Sequence, residues 1–348
     1  MQMRETIIEN GLISMLCEGF TRSPLQVNEL NKSDAEIVSL PGTKMHLAFT
    51  TDNIVEEIES GLYDDPYLIG WMTVIVNASD IAAVGAEPLG LLLSETLSDK
   101  YEPAFIEEIQ RGISDACKEA GFFVLGGDTN FSHSAQFGAA AMGLITDNNI
   151  ITREGCEAGD IVYLSGSAGI GSAYAFAKLS GFVEVPVYKP EPRIAHGKII
   201  RQFASCCMDT SDGFLSTLDQ LMRINKKGFL VNSLPAEYIS GDAIEMSSKY
   251  GLSPLLMLAG QHGEFELIFT VPPDSESEFL KAAELSGWKP LKIGVVTEER
   301  SIKISDGNNF LCPDTTRLRN LLHETKGDLS LYMRRLTEIF AGPVLTEF

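Results

Sequence analysis

Apolar residues in this chain come in blocks with two different rhythms. In residues 102–120 (EPAFIEEIQRGISDACKEA), Ile106, Ile109, Ile113, Cys117 and Ala120 recur at helical spacing, and Gly121 supplies a C-terminal stop. The stretch Tyr67–Ala86 is almost wholly apolar and long enough for a buried helix. Shorter apolar runs predict strands at His46–Phe49, Phe122–Leu125, Ala139–Ile145 and Ile161–Leu164. Phe122–Leu125 ends at Gly126-Gly127 and reads as a buried strand. After the polar stretch Asp147-Asn148-Asn149 the alternation restarts. A helix is predicted at 171–180, a strand near 203–208, a helix at 212–223 and a strand at 265–271. The pattern predicts an α+β protein of mixed α/β layers with a boundary near residues 147–158. The expected division is 1–150, 151–325, and an accessory amphipathic helix with a tail at 326–348.

Composition narrows the class. With 348 residues, 44% apolar and 22% charged, the chain has enough material for two globular cores. No apolar run has the length of a membrane helix, and the first residues lack the pattern of a signal peptide, so the expectation is a cytoplasmic protein without membrane contact. The net charge of −21 disfavours nucleic acid as a partner. The six cysteines (Cys17, Cys117, Cys156, Cys206, Cys207, Cys312) show no metal-binding spacing and read as buried, reduced thiols.

Carboxylates in apolar surroundings change the picture. Asn77 and Asp80 lie three apart inside the apolar helix and project from one face. Asp52 follows the strand His46–Phe49 through Thr50-Thr51, and Asp128 follows Phe122–Leu125 through two glycines. Asp209 and Asp212 bracket a strand-to-helix turn in which Ser211 is a candidate cap. Each alone suits a turn or a cap. Together they make five carboxylates at element ends without adjacent Lys or Arg. Burying an ionised carboxylate is costly unless it is paired or binds a metal. Oxygen ligands without His or Cys suit Mg²⁺, and through Mg²⁺ such a site holds ATP. A P-loop is absent, and the run Gly166-Ser167-Ala168-Gly169-Ile170-Gly171 reads as a tight strand-to-helix turn.

The segments TTDNIVEEI (50–58), WMTVIVNASDIAAVGAEPLGLLLS (71–94), GGDT (126–129), Thr152–Asp160, Glu191-Pro192-Arg193, DTSDGF (209–214) and GEFELIFTVP (263–272) resemble, in order, thiamine-monophosphate kinases of the aminoimidazole ribonucleotide synthetase superfamily. The resemblance implies a two-domain synthetase-like fold whose N-terminal domains pair into a barrel across a homodimer. It implies Mg²⁺ at Asp34, Thr51, Asp52, Asp80, Asp128, Asp209 and Asp212, with Asp209 and Asp212 catalytic. Gly127, Asp128, Arg153 and Ser211 would lie at ATP, and Glu264 and Phe310 at a small phosphorylated acceptor. Transfer of the γ-phosphoryl group of ATP to thiamine monophosphate is the implied reaction. The alternatives are an ATP-dependent enzyme of the same superfamily with another acceptor, and a non-catalytic nucleotide-binding dimer. The departures fall at Lys32-Ser33-Asp34-Ala35, where the family has Gly-Asp-Asp-Ala. Others are Glu59 or Ser60 in place of a histidine, Thr217 in place of an aspartate, and Phe310, a weak match to an acceptor-contacting aromatic residue.

Overall fold

In the computed structural model, which describes residues 6–341, the central helix begins where the local chemistry dictates. The Asp65 carboxylate accepts the Leu68 N–H at 2.7 Å, and Pro66 takes the first helical position. The first half runs α1 (Ile8–Cys17), β1 (Glu36–Ser39), β2 (His46–Asn53), α2 (Val55–Glu59), α3 (Pro66–Ala83), β3 (Glu87–Ser98), α4 (Pro103–Ala120), β4 (Val124–Ser132) and β5 (Gln136–Ile145). The second runs β6 (Ile161–Leu164), α5 (Ile170–Leu179), α6 (Ile194–Phe203), β7 (Cys206–Asp209), α7 (Phe214–Asn225), β8 (Gly228–Val231), α8 (Pro235–Tyr238) and α9 (Gly241–Lys249). It continues through β9 (Leu267–Val271), α10 (Glu276–Leu285), β10 (Leu291–Thr297), β11 (Ile302–Ser305), β12 (Phe310–Leu311), α11 (Thr315–Glu324) and α12 (Leu329–Ala341).

Two sheets organise these elements. The first has the order β1-β2-β5-β3-β4 and the second β12-β11-β8-β10-β6-β9-β7. Helix α3 is apolar on all sides because it is covered on all sides: it packs on β2, β5, α4, α6 and β7, and so joins the two layers. Helix α4 has one apolar face, turned to α3, and ends at Gly121 in the left-handed conformation (φ 76°).

The apolar run at 122–125 departs from expectation. Only Phe122 is buried. Phe123 is 72% exposed, and Val124 and Leu125 are exposed on β4, the free edge of the first sheet. A short apolar run records that a segment avoids water, and among the described residues of a single chain nothing covers this edge. One face of the sheet carries α3. The opposite face, with Phe49, Leu92, Ala140 and Met142, lines an open trough. Strand β2 also continues further than expected, so that Asp52 lies within it. Four cysteines are buried as expected, but Cys17 is half-buried and Cys312 exposed; all six are free. Helix α1 lies on α11, where Asn320 accepts the Ile8 N–H and donates to the Thr6 carbonyl, each at 2.9 Å. The amphipathic C-terminal helix is α12, and residues 342–348 of the expected tail lie outside the described residues.

Candidate active site

Three carboxylates converge where the two layers meet. Asp34 comes from the loop before β1, Asp80 from the last turn of α3 and Asp209 from the end of β7; their ligand oxygens all lie within 4.8 Å of one another. Short hydroxyl groups hold them in place. Thr50 on β2 donates to Asp80 and Ser79 to Asp209, while Ser211 donates to the other Asp209 oxygen at 2.9 Å. Ser211 therefore orients a carboxylate and caps no helix; α7 starts after Gly213 without a side-chain cap. Burial, and then the charge of Asp34, push Asp209 up to about 7. Burial, then Asp209, Asp52 and Asp34, raise Asp80 well above the ordinary range. These groups resist ionisation together unless a cation joins them.

Asp52 and Asp212 form a second, outer group at the mouth of the cleft. Both keep solvent-exposed surface, yet the protein crowds them. Crowding by protein, then Asp212 and Glu57, raises Asp52 to about 7. The same crowding, then Glu9, raises Asp212, with Arg319 and Arg153 opposing. Residual exposure lets water screen part of this coupling. The Asp52 N–H donates to Asn77 Oδ1 at 3.1 Å, so Asn77 fixes the backbone of β2 and is structural. Glu57 on α2 belongs to this group as well, and no apolar context or spacing marks it out in the chain.

Several expected residues lie elsewhere. Thr51 points away from Asp80, its hydroxyl bonded to the Ala139 carbonyl at 3.0 Å; neighbouring Thr50 faces the cluster instead, because a strand alternates. Asp128 is in the middle of exposed β4, bonded by Asn130 at 2.8 Å. Along the register Asp52, Ala139, Leu93, Gly127, three strand spacings separate β2 from β4, about 14 Å at the usual 4.8 Å spacing. Within one chain, Asp128 does not join the other carboxylates. A Cβ on Gly127 would stand 2.4 Å from the Leu93 carbonyl oxygen, so strand packing already requires glycine there.

Arg153 is the basic neighbour that the aspartate spacing failed to announce. Its guanidinium meets Asp34 at 3.0 Å, and its N–H donates to the Lys32 carbonyl at 2.9 Å. Lys32 turns outward to Glu154 at 2.8 Å. Thr217, which stands where the family has an aspartate, donates to the Asp209 carbonyl at 2.9 Å and so braces the turn. Glu264 is buried and accepts the Gly169 N–H at 2.8 Å; burial raises it to about 8. That bond ties it to the glycine run at 166–171, while its other oxygen, Oε1, is buried without a hydrogen-bond partner. A Cβ on Gly171 would lie 2.0 Å from the Gly263 carbonyl oxygen, which explains that glycine by packing. Phe310 is on β12, the edge opposite β7, six strand spacings or about 29 Å from the strand of Asp209. The sheet order, invisible in sequence, separates it from the carboxylates within one chain.

Beside the outer carboxylates opens a pocket of about 150 Å³. Glu56, Glu57 and Gln261 form its polar end; Leu256, Met257, Tyr332, Met333 and Leu336 are among its apolar walls. Tyr332 accepts the Gln261 N–H at 3.2 Å, so α12 is tied to the pocket. Buried His262 also lines it, in contact with Tyr63, Tyr174 and Tyr188, and burial lowers its pKa to about 3, which keeps it neutral. The amphipathic pattern of α12 was legible in the sequence; its position over a pocket was not.

Two mixed α/β layers that bring carboxylates from both halves into one cleft, with no phosphate-binding loop, define a narrow structural class. Residues 32–145 match the N-terminal domain of AIR synthase related proteins, and residues 157–307 match the C-terminal domain. The chain belongs to the AIR synthase related protein family. It is similar to the thiamine-monophosphate kinase of Nitrosopumilus maritimus, 27% identical over 287 residues, spanning 80% of this chain and 89% of that one. In fold it resembles the solved structure of AaThiL complexed with AMPPCP and TMP, at a TM-score of 0.72 and 23% identity, covering 87% of this chain and 96% of that one. It also resembles Escherichia coli HypE, a hydrogenase maturation protein, at a TM-score of 0.65 and 19% identity, covering 87% and 95%.

Proposed function

We propose that this protein is an ATP-dependent kinase that transfers the γ-phosphoryl group of ATP to thiamine monophosphate, giving thiamine diphosphate and ADP. The observation that carries the proposal is the cleft itself: inner Asp34, Asp80 and Asp209 and outer Asp52 and Asp212 line one path between the layers. Arg153 is the basic group bonded within it. An acidic cleft accepts a polyphosphate through divalent ions, and the clustered, partly unpartnered oxygens fit that use. Mg²⁺ held by these residues supplies charge neutralisation of the phosphates when bound. Asp209 and Asp212, on one short turn, orient the two ends of the transfer. The acceptor phosphate is already anionic near neutral pH and needs no general base, so positioning accounts for the catalysis. The pocket under α12 suits the rest of the acceptor: acidic Glu56 and Glu57 face a cationic ring, and the Leu and Met side chains cover its apolar surface. The curated relatives are thiamine-monophosphate kinases, and the AaThiL structure contains AMPPCP and TMP.

The active form in this reading is a homodimer whose N-terminal layers close their open sheet faces on each other. Exposed β4 and the apolar trough support it, and the pairing would carry Asp128 of one chain toward the cleft of the other. The functional units are then 1–150, 151–325 and the accessory 326–348. Among the described residues no helix is long and apolar enough to cross a membrane; we assign the enzyme to the cytoplasm, where its nucleotide is available. Glu59 or Ser60 in place of the family's histidine, with Phe310 remote from the carboxylates on β12, favours a second reading with another small phosphorylated acceptor. Purified protein with Mg-ATP is expected to convert thiamine monophosphate to the diphosphate, followed by chromatography, and Asp212→Asn to stop it. Conversion of a different phosphorylated acceptor, with thiamine monophosphate untouched, would decide for the second reading.

A further inference from the structure

We infer that Gln261 is a specificity-determining residue of the pocket under α12. Its side-chain oxygen accepts a hydrogen bond from an amino group carried on an aromatic nitrogen ring, so the pocket selects the amino over the oxo form of such a ring. The inference rests on the reading of this pocket as the acceptor site, and it names the edge of the acceptor that the pocket recognises.

The residue is held on two sides. Gln261 Nε2 donates to the Arg319 carbonyl at 2.7 Å, and the Gln261 backbone N–H donates to the Tyr332 hydroxyl at 3.2 Å. A carbonyl only accepts, so the end of the amide that faces Arg319 is the NH2 end, and Oε1 is the end left over. Oε1 is sealed from water and has no hydrogen-bond partner among the described residues. Buried acceptors in native proteins are nearly always satisfied, and Gln261 lines the pocket from which a donor can come. The backbone behind the amide is anchored. Fully buried Asp219 on α7 accepts from Thr315 at 2.6 Å, from Arg223 at 2.7 Å and from Arg319 at 3.3 Å, which ties α11 to α7. Turning Oε1 away would give up the bond to the Arg319 carbonyl.

The rest of the lining is also rich in acceptors. Glu56 and Glu57 bring carboxylates. Ser60 and Ser172 spend their protons on the Glu57 and His262 carbonyls, at 3.1 and 3.3 Å, and present lone pairs to the pocket. Tyr332 accepts the Gln261 N–H and keeps its own proton to donate. An amino group beside an unprotonated ring nitrogen matches this pair: the amino N–H goes to Gln261 Oε1, and the ring nitrogen accepts from Tyr332. An oxo group beside a ring N–H has the reverse pattern and sets acceptor against acceptor and donor against donor. Arg319 and Tyr332, which fix Gln261, lie on α11 and α12, beyond the residues 157–307 matched to the family. The selection is therefore built by the accessory end of this chain.

The test uses the full chain without nucleotide and two ring fragments that carry no phosphate, 4-amino-2-methylpyrimidine and 2-methylpyrimidin-4-one. Affinities are read by ligand-observed nuclear magnetic resonance titration. The amino fragment is expected to bind about tenfold or more tightly than the oxo fragment, since the latter leaves a buried acceptor facing an acceptor. Gln261→Leu is expected to bring the ratio close to one while retaining the native circular dichroism spectrum. Tyr332→Phe keeps Gln261 and its bond to Arg319, removes only the hydroxyl, and is expected to lower the ratio several-fold; it does not depend on Gln261→Leu folding. Equal affinity for the two fragments, no binding of the amino fragment at its solubility limit, or a wild-type ratio in either variant would each overturn the inference. Since neither phosphate nor ATP enters the measurement, failure here is distinguishable from failure of the kinase assignment, which is read by product formation.

Discussion

Removing one exposed ring from β4 should separate the proposed dimer. Phe131 lies near the end of this edge strand and is 79% exposed in the single chain. A phenylalanine side chain contributes about 150–250 Å² when covered, so roughly 120–200 Å² of Phe131 now faces solvent. At about 25 cal/mol per Å², full coverage stabilises by about 3–5 kcal/mol for each chain, and two-fold symmetry doubles the effect. If pairing covers only half of each ring, Phe131→Ala still costs about 3–5 kcal/mol per dimer. That weakens the dimer Kd more than a hundredfold. The substitution leaves the monomer core untouched, because the ring contributes little to it. Sedimentation velocity across a micromolar dilution series should show wild-type chain at twice the monomer mass and Phe131→Ala shifting to monomer. If Asp128 completes the partner's cleft, the same variant should lose thermal stabilisation by Mg-ATP. A wild-type monomer at tens of micromolar, or equal Kd values for the two proteins, would refute the argument.

The remaining predictions concern the cleft. In chelator, the protein should melt at higher temperature at pH 5 than at pH 8: folded Asp209, raised by burial and Asp34 from 3.8 to about 7, holds a proton that the unfolded chain has released. The folded state binds more protons between those values, so stability falls as pH rises through that window. Saturating Mg²⁺ should flatten the trend, and differential scanning fluorimetry checks both. ATP should raise the melting temperature only when Mg²⁺ is present, and Asp80→Asn should abolish that shift; equal stabilisation in excess chelator would count against the cleft as a metal site. Tyr332→Ala should raise the acceptor KM several-fold and leave the ATP KM near its original value, since the ring lines the pocket proposed for the acceptor and not the carboxylate path. A change confined to the ATP KM would move the acceptor elsewhere.

The periodicity of α3 and α4, the strands at β2, β5, β6 and β9, and the restart after residue 147 were all legible in the chain, because local spacing of apolar residues reflects which faces leave water. So was the suspicion that Asp80 and Asp209 do not sit in apolar segments for solubility alone. The family motifs led to the nucleotide reading before any contact was known. What only the tertiary structure decided is adjacency. Asp34, Asp80 and Asp209 are separated by most of two hundred residues, and their convergence depends on how α3 packs between the two sheets. Alternation along β2 turned Thr50, not Thr51, toward Asp80, and a strand start misjudged by one residue reverses such a choice. Strand order placed the strand of Asp128 about 14 Å from β2 and that of Phe310 about 29 Å from β7. Sequence spacing carries information about a residue's own element, through bond geometry and burial. Which elements become neighbours is fixed by the packing of complementary faces, and that belongs to the whole chain.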